Sequence, residues 1–359
     1  MRPAAFPARA IFVLRPEVRP ATSLTPARRR ERTDPATGGS RSFEEALLGM
    51  SLVSETLIEV PPYEVLGPRG APTILVLGGI SANRHICANG VDPTPGWWES
   101  IAGRGRALDT TKYQLVGCDF IDGGRGPDGR PERIVRTHDQ ADAIVAALDE
   151  IGIERVDAVI GASYGGMVAL ALAERYPRIL DRLIVIGAAH EPHPMSTALR
   201  SIQRRTVELG IETGREHEAL VIARSLAMTT YRSANEFAER FSTAPSAITE
   251  NDASFPVESY LRHHGETFAS RWTAERFLAL SLSGDLHSVT PRNISTPTLL
   301  VAAEGDSIVP LAQMEHLARE IGGPCRLVDL PSRNGHDAFL TESAALGAIL
   351  RDELSTSIL

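Results

Sequence analysis

The sequence of 359 residues has few cysteines, no excess of basic charge and no long apolar run, and each absence disfavours a class of protein. The three cysteines, Cys87, Cys118 and Cys325, are far apart and never spaced as Cys-x-x-Cys, which is typical of reduced thiols in a cytoplasmic protein. No apolar segment reaches the roughly 18 residues that a membrane-spanning helix needs. The formal net charge of −8 argues against a nucleic-acid partner, because phosphate recognition demands a basic surface.

Metal-site motifs are also absent. Neither His-Glu-x-x-His nor His-x-x-Glu-His occurs, and the cysteines are scattered, so we expect no metal. The composition, 43% hydrophobic and 23% charged, is ordinary for a soluble globular protein. Residues 1–50 differ from the rest, because they are rich in Arg, Pro, Thr and Ala and contain no apolar core long enough for a signal peptide. We predict that residues 1–50 form a disordered extension.

Buried-strand patterns recur along the remainder of the chain. Thr73–Leu77 is a continuous apolar run that ends in two glycines, and such runs are typical of strands buried on both faces of a parallel sheet. Amphipathic patterns lie between the runs, as in Thr137–Ile151. The further runs are at 57–60, 63–66, 113–119, 156–161, 182–187, 297–303 and 325–330, and the further helical patterns at 165–176 and 311–321. The alternation predicts an α/β fold with a doubly wound, mostly parallel sheet.

The alternation breaks after residue 187 and resumes at residue 297. Residues 191–286 are helical in pattern and rich in polar side chains, with no buried-strand run. We therefore predict an α/β core formed by residues 51–190 and 287–359, with a helical cap inserted at 191–286.

The strongest chemical signal is the pentapeptide at 161–165, Gly-Ala-Ser-Tyr-Gly, which fits the Gly-x-Ser-x-Gly nucleophile elbow. A buried-strand run precedes it and a helical pattern follows it, as that motif requires. The sharp strand-to-helix turn would strain the backbone of Ser163 and project its hydroxyl. An ordinary loop that happens to contain serine is the alternative interpretation.

A serine hydroxyl needs a base to take its proton and an acid to orient that base. In this type of fold the acid and the histidine follow the serine along the chain. Asp306 follows the run at 297–303 and His336 follows Cys325–Leu330, so both lie at the sheet edge where sites of open α/β sheets form. We predict a catalytic triad of Ser163, Asp306 and His336. Glu304 is the substitute acid, and Asp306 could instead cap the helix that follows it.

Acyl chemistry also needs hydrogen-bond donors for the oxyanion. The backbone N–H of Tyr164, directly after the nucleophile, is one candidate. The other is the backbone N–H of Ile80, in the loop after Thr73–Leu77. The glycines at 78 and 79 could equally form a plain tight turn.

From about residue 63 to the C-terminus, the sequence resembles the homoserine O-acyltransferase family of the α/β-hydrolase superfamily. The segment Gly335-His336-Asp337-Ala338-Phe339-Leu340 after a strand is the most specific carrier of this resemblance. The other carriers are Gly96-Trp97-Trp98, Arg106-Ala107-Leu108-Asp109-Thr110, the elbow through Met167, and Glu258-Ser259-Tyr260-Leu261 with Gly265, Phe268 and Arg271.

The resemblance implies the α/β-hydrolase fold and a ping-pong acyl transfer in methionine biosynthesis. Ser163 would take the acyl group from acyl-CoA, with acetyl-CoA the usual donor of the family and succinyl-CoA close behind, and L-homoserine would accept it. Acyl-CoA is then a substrate, and no cofactor is expected. The resemblance also implies a homodimer with contacts through the cap.

Three substrate-binding residues carry over by resemblance. Asp337 corresponds to the residue that holds the substrate ammonium, Arg204 to a cap arginine that grips a carboxylate, and Tyr231 to a cap tyrosine that lines the tunnel. Arg205 is a neighbouring candidate for the arginine. Solvated helix faces or packing within the cap would explain the arginine and the tyrosine equally.

The sequence departs from the family at two places near the nucleophile. Tyr164 stands where the family usually has methionine, and Gly78-Gly79-Ile80-Ser81 stands where it commonly has His-Ala-Leu-Thr. These departures leave the acyl donor open. Transfer to another hydroxy amino acid such as serine, plain ester hydrolysis and a non-catalytic binding module are the competing functions. The reaction product distinguishes homoserine transfer from transfer to serine and from ester hydrolysis. A serine-directed label would show whether the nucleophile is reactive, which a non-catalytic binding module does not require.

Overall fold

The computed structural model describes residues 10–11 and 59–356. Most of the extension predicted at residues 1–50 lies outside the described residues, as does half of the strand predicted at 57–60. Residues 59 and 60, the other half of that prediction, lie outside any strand. Ala10–Ile11, which falls within the predicted extension, forms a short strand, β1.

A sheet of eight strands forms the centre of the described structure, in the order β1-β10-β9-β6-β5-β3-β4-β2. All neighbouring strands run parallel except the two edge strands, because β1 is antiparallel to β10 and β2 is antiparallel to β4. This mostly parallel sheet confirms the prediction made from the sequence. The strands after β1 are β2 (Tyr63–Leu66), β3 (Thr73–Leu77), β4 (Gln114–Cys118), β5 (Ala158–Ala162), β6 (Leu183–Ile186), β9 (Thr298–Ala303) and β10 (Cys325–Leu330).

Helices cover both faces of the sheet and bury its apolar strands. On one face pack α1 (Thr137–Ile151), α2 (Tyr164–Arg175) and α8 (Leu311–Glu320). On the other face lie α10 (Ser343–Ser355) and the segment around Trp98 and Leu108. Every residue of β3, β4, β5, β6 and β9 is buried, which explains why these strands read as unbroken apolar runs.

The region predicted as a cap contains five helices and a small hairpin. The helices are α3 (Pro194–Thr213), α4 (Glu216–Tyr231), α5 (Ala234–Arg240), α6 (Pro256–Ala269) and α7 (Ala274–Asp285). The hairpin pairs β7 (Ala247–Ile248) with β8 (Ala253–Ser254). Strands of two largely exposed residues have no apolar pattern, so they could not be predicted from the sequence. Nine of the twelve residues of α7 are buried, which makes it the most enclosed helix of this region.

A last short helix, α9 (Ala338–Thr341), follows a turn of 3₁₀ helix at Gly335–Asp337. Within residues 59–356, no helix combines the length and the apolarity that a bilayer crossing requires.

Candidate active site

Ser163 occupies the tight turn between β5 and α2, and its backbone is strained. Its φ of 53° makes it the one non-glycine residue with positive φ among the described residues. The turn leaves no room for side chains at the flanking glycines, since a Cβ on Gly161 or Gly165 would lie 2.4 Å from backbone oxygens. The local sequence therefore produces the sharp turn that presents the serine hydroxyl at the sheet edge.

A chain of two short hydrogen bonds joins the three residues of the predicted triad. Ser163 Oγ lies 2.7 Å from His336 Nε2, and His336 Nδ1 lies 2.7 Å from Asp306 Oδ2. Because a carboxylate only accepts hydrogen bonds, Nδ1 carries the ring proton and Nε2 is left to accept the serine proton. The structure thus brings together, with general-base geometry, residues that are up to 173 positions apart in sequence.

Asp306 does not cap the helix that follows it, because α8 begins only at Leu311 with Pro310 as its N-cap. The Oδ1 atom of Asp306 accepts the backbone N–H groups of Ile308 at 2.8 Å and Val309 at 3.0 Å, so one carboxylate oxygen fixes the loop and the other orients His336. The substitute acid Glu304 is exposed to solvent.

The electrostatic surroundings of His336 favour its protonated form. Burial lowers its pKa, but the charge of Asp306 and its hydrogen bond outweigh burial, and the net pKa is raised above the ordinary value. The Arg200 guanidinium opposes this rise. The imidazole is therefore suited to take up a proton from Ser163 and to return it later.

The two predicted oxyanion donors, Tyr164 and Ile80, both line the cavity that contains Ser163. Tyr164 is the first residue of α2, where a backbone N–H has no acceptor within the helix. Ile80 lines the same cavity as Ser163 and His336. In the part of the chain that the structure describes, neither N–H has a hydrogen-bond acceptor. Both can therefore point at an oxygen that develops negative charge beside Ser163.

A buried contact from Trp98 fixes the loop that carries His336. The indole N–H of Trp98 donates to the backbone oxygen of Phe339 at 2.9 Å, and Trp98 is 1% exposed. The two segments that carried much of the sequence resemblance, around Trp98 and His336, are thus in direct contact.

The cavity above Ser163 is walled partly by the sheet edge and partly by the predicted cap. Tyr231, at the end of α4, reaches it, and its ring centroid lies 5.9 Å from that of His336. Arg200, on α3, also reaches it. The full lining is Ile80, Ser163, Tyr164, Met167, Gly187, Arg200, Tyr231, Gly284, Ile308, Val309 and His336.

Arg204, the predicted carboxylate-binding residue, makes its contacts away from this lining. Its Nη1 lies 2.6 Å from Asp285 Oδ2 and donates to Ser281 Oγ at 3.0 Å. Arg200 lies one helical turn earlier and binds the other oxygen of Asp285 through Nε at 2.6 Å. Residues four apart share a helix face, so both arginines reach Asp285. Of the two, only Arg200 also lines the cavity. The neighbouring candidate, Arg205, is exposed.

Asp337, the predicted ammonium ligand, is 9% exposed and ion-paired. Its Oδ2 lies 2.9 Å from Arg232 Nε. Burial raises the pKa of this carboxyl above its ordinary value, and the charges of Arg232, His336 and Arg224 oppose the rise. Among the groups that oppose the rise, Arg232 is the ion-pair partner of this carboxyl and favours its ionised form.

Arg224 is a candidate binding residue that sequence analysis did not identify. Its guanidinium carbon lies 5.2 Å from the ring centroid of Tyr231 and 5.1 Å from that of Phe268. Among residues 59–356 it makes no ion pair or hydrogen bond, so its donors can serve an anionic ligand. Its position seven residues before Tyr231, two turns along α4, was the signal that could have identified it.

No group of three or more His, Cys, Asp or Glu side chains within the described ranges is arranged to hold a metal ion.

Comparison with known proteins supports both the fold and a particular family. The model of the α/β-hydrolase fold family matches residues 72–343. The chain is 42% identical over 295 residues to a homoserine O-succinyltransferase of Xanthomonas campestris pv. campestris, covering 82% of this chain and 79% of the relative. It is 31% identical over 342 residues to a serine O-succinyltransferase of the same species, and the match covers 80% of this chain and 90% of that relative.

A solved structure agrees with the fold. The homoserine O-acetyltransferase of Bacillus anthracis superimposes with a TM-score of 0.74 at 18% identity, covering 83% of this chain and 92% of that one. At this identity the likeness supports the fold.

Proposed function

We propose, from the premise that the chain belongs to the homoserine O-acyltransferase family of the α/β-hydrolase superfamily, that this O-acyltransferase moves an acyl group from coenzyme A to L-homoserine. The observation that carries the proposal is the hydrogen-bonded chain from Ser163 through His336 to Asp306 in a cavity shared with the cap region. The reaction would serve methionine biosynthesis.

The first half of the reaction is acylation of Ser163. The serine oxygen attacks the thioester carbonyl of acyl-CoA while His336 Nε2 takes the hydroxyl proton. The N–H groups of Ile80 and Tyr164 would hold the oxyanion. Collapse of the intermediate breaks the carbon–sulfur bond, and His336 returns the proton to the departing CoA thiolate. The product is an acyl ester on Ser163.

The second half transfers that acyl group to the side-chain hydroxyl of homoserine. His336 takes the proton of this hydroxyl, its oxygen attacks the ester carbonyl, and Ser163 leaves with the proton. Water would compete at the same step, so the site must be enclosed. His336 is 5% exposed and Asp306 is 7% exposed, so the base and its acid are shielded from bulk water.

Succinyl-CoA is the donor that the cavity favours, although the resemblance placed acetyl-CoA first. Arg200 and Arg204 share the single carboxylate of Asp285, so the cluster carries one positive charge in excess. The side chain of Asp285 is 5% exposed. Of the two arginines, Arg200 is the one that lines the cavity containing Ser163. A succinyl group on Ser163 ends in a carboxylate, which a guanidinium binds well.

The acceptor would be held by its two charged groups. Asp337 would bind the ammonium group, and Arg224, which lacks an anionic partner within the described residues, would bind the carboxylate. The Tyr231 ring lies near both the Arg224 guanidinium and the His336 ring, so an acceptor bound by Arg224 would lie close to the base. Serine is one methylene shorter than homoserine and is the competing acceptor.

A homodimer through the cap region is part of the proposal. Met195, Ile202 and Leu209 on α3 are spaced by seven residues and are 60%, 54% and 60% exposed. This spacing forms one apolar stripe on the helix, as in helices that pair with another helix. Light scattering on the purified protein would show a monomer if the stripe has no partner in solution.

The first experiment is to measure CoA release from succinyl-CoA and from acetyl-CoA, with and without L-homoserine or L-serine. We expect homoserine to accelerate release, most strongly with succinyl-CoA, and mass spectrometry to find the O-acyl amino acid. The Ser163→Ala variant should release no CoA above background. Release at an equal rate without an acceptor would instead identify a hydrolase and refute the transfer.

A further inference from the structure

The side chain of Tyr164 lies at the centre of a buried polar network that catalysis as described does not use. Tyr164 is 3% exposed. Its hydroxyl accepts a hydrogen bond from Gln140 Nε2 at 3.2 Å and lies 2.7 Å from Ser283 Oγ. Burial raises the pKa of this phenol to about 12, so it stays neutral.

The direction of the hydrogen bonds in this network follows from Gln140. Its amide is held by the peptide groups of Ile121, because Oε1 accepts the Ile121 N–H at 2.9 Å and Nε2 donates to the Ile121 oxygen at 2.7 Å. Nε2 therefore also donates to Tyr164. Because Tyr164 accepts from Gln140, its own hydroxyl proton is available to Ser283 Oγ. This hydrogen bond connects the nucleophile elbow with α7.

Ser283 lies in the part of α7 that holds the cap arginines. Two residues later, Asp285 binds Arg200 and Arg204, and two residues earlier, Ser281 accepts from Arg204. The hydroxyl of Tyr164 thus fixes the last turns of α7 against the elbow. Arg200, which lines the cavity of Ser163, is held by a carboxylate in those same turns.

We propose that Tyr164 is a positioning residue for donor selection: its hydroxyl, through Ser283 and Asp285, sets the place of the Arg200 guanidinium relative to Ser163. This inference rests on the proposed function, in which Arg200 reads the terminal carboxylate of the acyl group. The backbone N–H of Tyr164 would bind the oxyanion formed at the attacked carbonyl. Its side-chain hydroxyl would position the arginine that binds the other end of the acyl group.

Tyr164→Phe removes this link and keeps the ring packed against Phe120, with which it makes an edge-to-face contact at 4.8 Å. Ser283→Ala removes the same bond from the other side. The matched control is Tyr176→Phe at the end of α2, which loses a tyrosine hydrogen bond of 2.8 Å whose partner, Asp142, lies on α1 and not on α7.

The measurement is the rate of Ser163 acylation by succinyl-CoA and by acetyl-CoA, followed by intact mass without an acceptor, and then kcat/KM with homoserine. We expect Tyr164→Phe and Ser283→Ala each to lower the succinyl-to-acetyl ratio about fivefold, the scale of one buried hydrogen bond. The double variant should lower it no further, because both changes break one link. Tyr176→Phe should leave the ratio unchanged.

Equal slowing of both donors by Tyr164→Phe, or an unchanged ratio, would show a purely structural tyrosine and overturn the proposal. If Tyr164→Phe does not fold, Ser283→Ala decides by the same criterion. Failure of the proposed function gives results different from failure of this inference. If the wild-type protein prefers acetyl-CoA, the assignment of succinyl-CoA as donor is refuted. If Ser163 is acylated but no acyl group reaches homoserine, the assignment of the acceptor is refuted. In both cases the response of the acylation ratio to Tyr164→Phe still decides the inference.

Discussion

The sheet edge and the region predicted as a cap both contribute side chains to the candidate active site, but different forces position those side chains. Ser163, Asp306 and His336 follow β5, β9 and β10, whose carboxyl ends lie on one edge of a parallel sheet. Backbone hydrogen bonding between strands therefore fixes their separation. The cap side chains sit on helices, and packing between helices decides what each one reaches.

The arginines of the cap region show the consequence. Arg200 and Arg204 share a helix face and a carboxylate, yet only one of them lines the cavity of Ser163. A helical period identifies the face but not the depth of each side chain. Residues at strand ends can therefore be assigned from sequence order, whereas residues on cap helices need the packed structure.

The largest expected effect tests the sheet edge. Asp306→Asn keeps the size of the side chain but removes the charge that orients and stabilises His336, so we expect kcat/KM to fall about 10³- to 10⁴-fold. Steady-state kinetics with homoserine and saturating donor would measure it. Glu304→Gln, two residues earlier and exposed, should retain wild-type rates. A comparable loss in Glu304→Gln would mean that the acid has been assigned to the wrong residue of the loop after β9.

Much of the sheet edge could be predicted because buried parallel strands have a simple pattern. The runs at 113–119 and 182–187 contain β4 and β6 within them, and Thr137–Ile151 was predicted with its observed bounds. The strand predicted at 57–60 is wrong at residues 59 and 60, which form no strand. A short, partly polar segment at the edge of a fold carries too little pattern to identify its pairing.

The cap region was less predictable for a physical reason. Sequence analysis gave its helical character, but the ion pairs of Asp285 and Asp337 join residues more than 80 positions apart, which no local pattern relates. The resemblance indicated a carboxylate-binding arginine at Arg204, and this role stays a prediction. Arg224, with two aromatic rings and no anionic partner in the described ranges, was found only from the packed helices.

The second effect tests donor reading in the cap region. Arg200→Gln removes a guanidinium from the cavity but keeps an amide that can donate to Asp285, so we expect the succinyl-to-acetyl ratio of kcat/KM to fall about 10- to 100-fold. Competition between the two thioesters in one reaction would measure it. Arg205→Gln, exposed on the same helix, is the matched control. A ratio that changes equally in both variants would remove Arg200 from donor recognition.

The third effect compares the candidate acceptor ligands. Asp337→Asn and Arg224→Gln should each raise the KM for homoserine about tenfold with a smaller change in kcat, because they remove ground-state contacts with its charged groups. Arg204→Gln should change this KM much less, since Arg204 already binds Asp285 and Ser281. A larger rise in Arg204→Gln than in Arg224→Gln would restore the assignment made from the sequence resemblance.

The smallest effect concerns the influence of Arg200, in the cap region, on the base at the sheet edge. The pKa of His336 lies above its ordinary value, and the base must be neutral to accept the Ser163 proton, so kcat/KM should rise with pH through this raised pKa. The positive charge of Arg200 lowers that pKa. Arg200→Gln should therefore move the acidic limb of the profile to higher pH.

Acetyl-CoA is the donor for this profile, so that loss of the carboxylate contact does not contribute. Arg205 is exposed and does not contribute to the shifted pKa of His336. Arg205→Gln should therefore leave the acidic limb at its wild-type position. A limb that stays in place or moves to lower pH in Arg200→Gln would show that the guanidinium does not act on the imidazole. The cap region would then select the acyl group without adjusting the base.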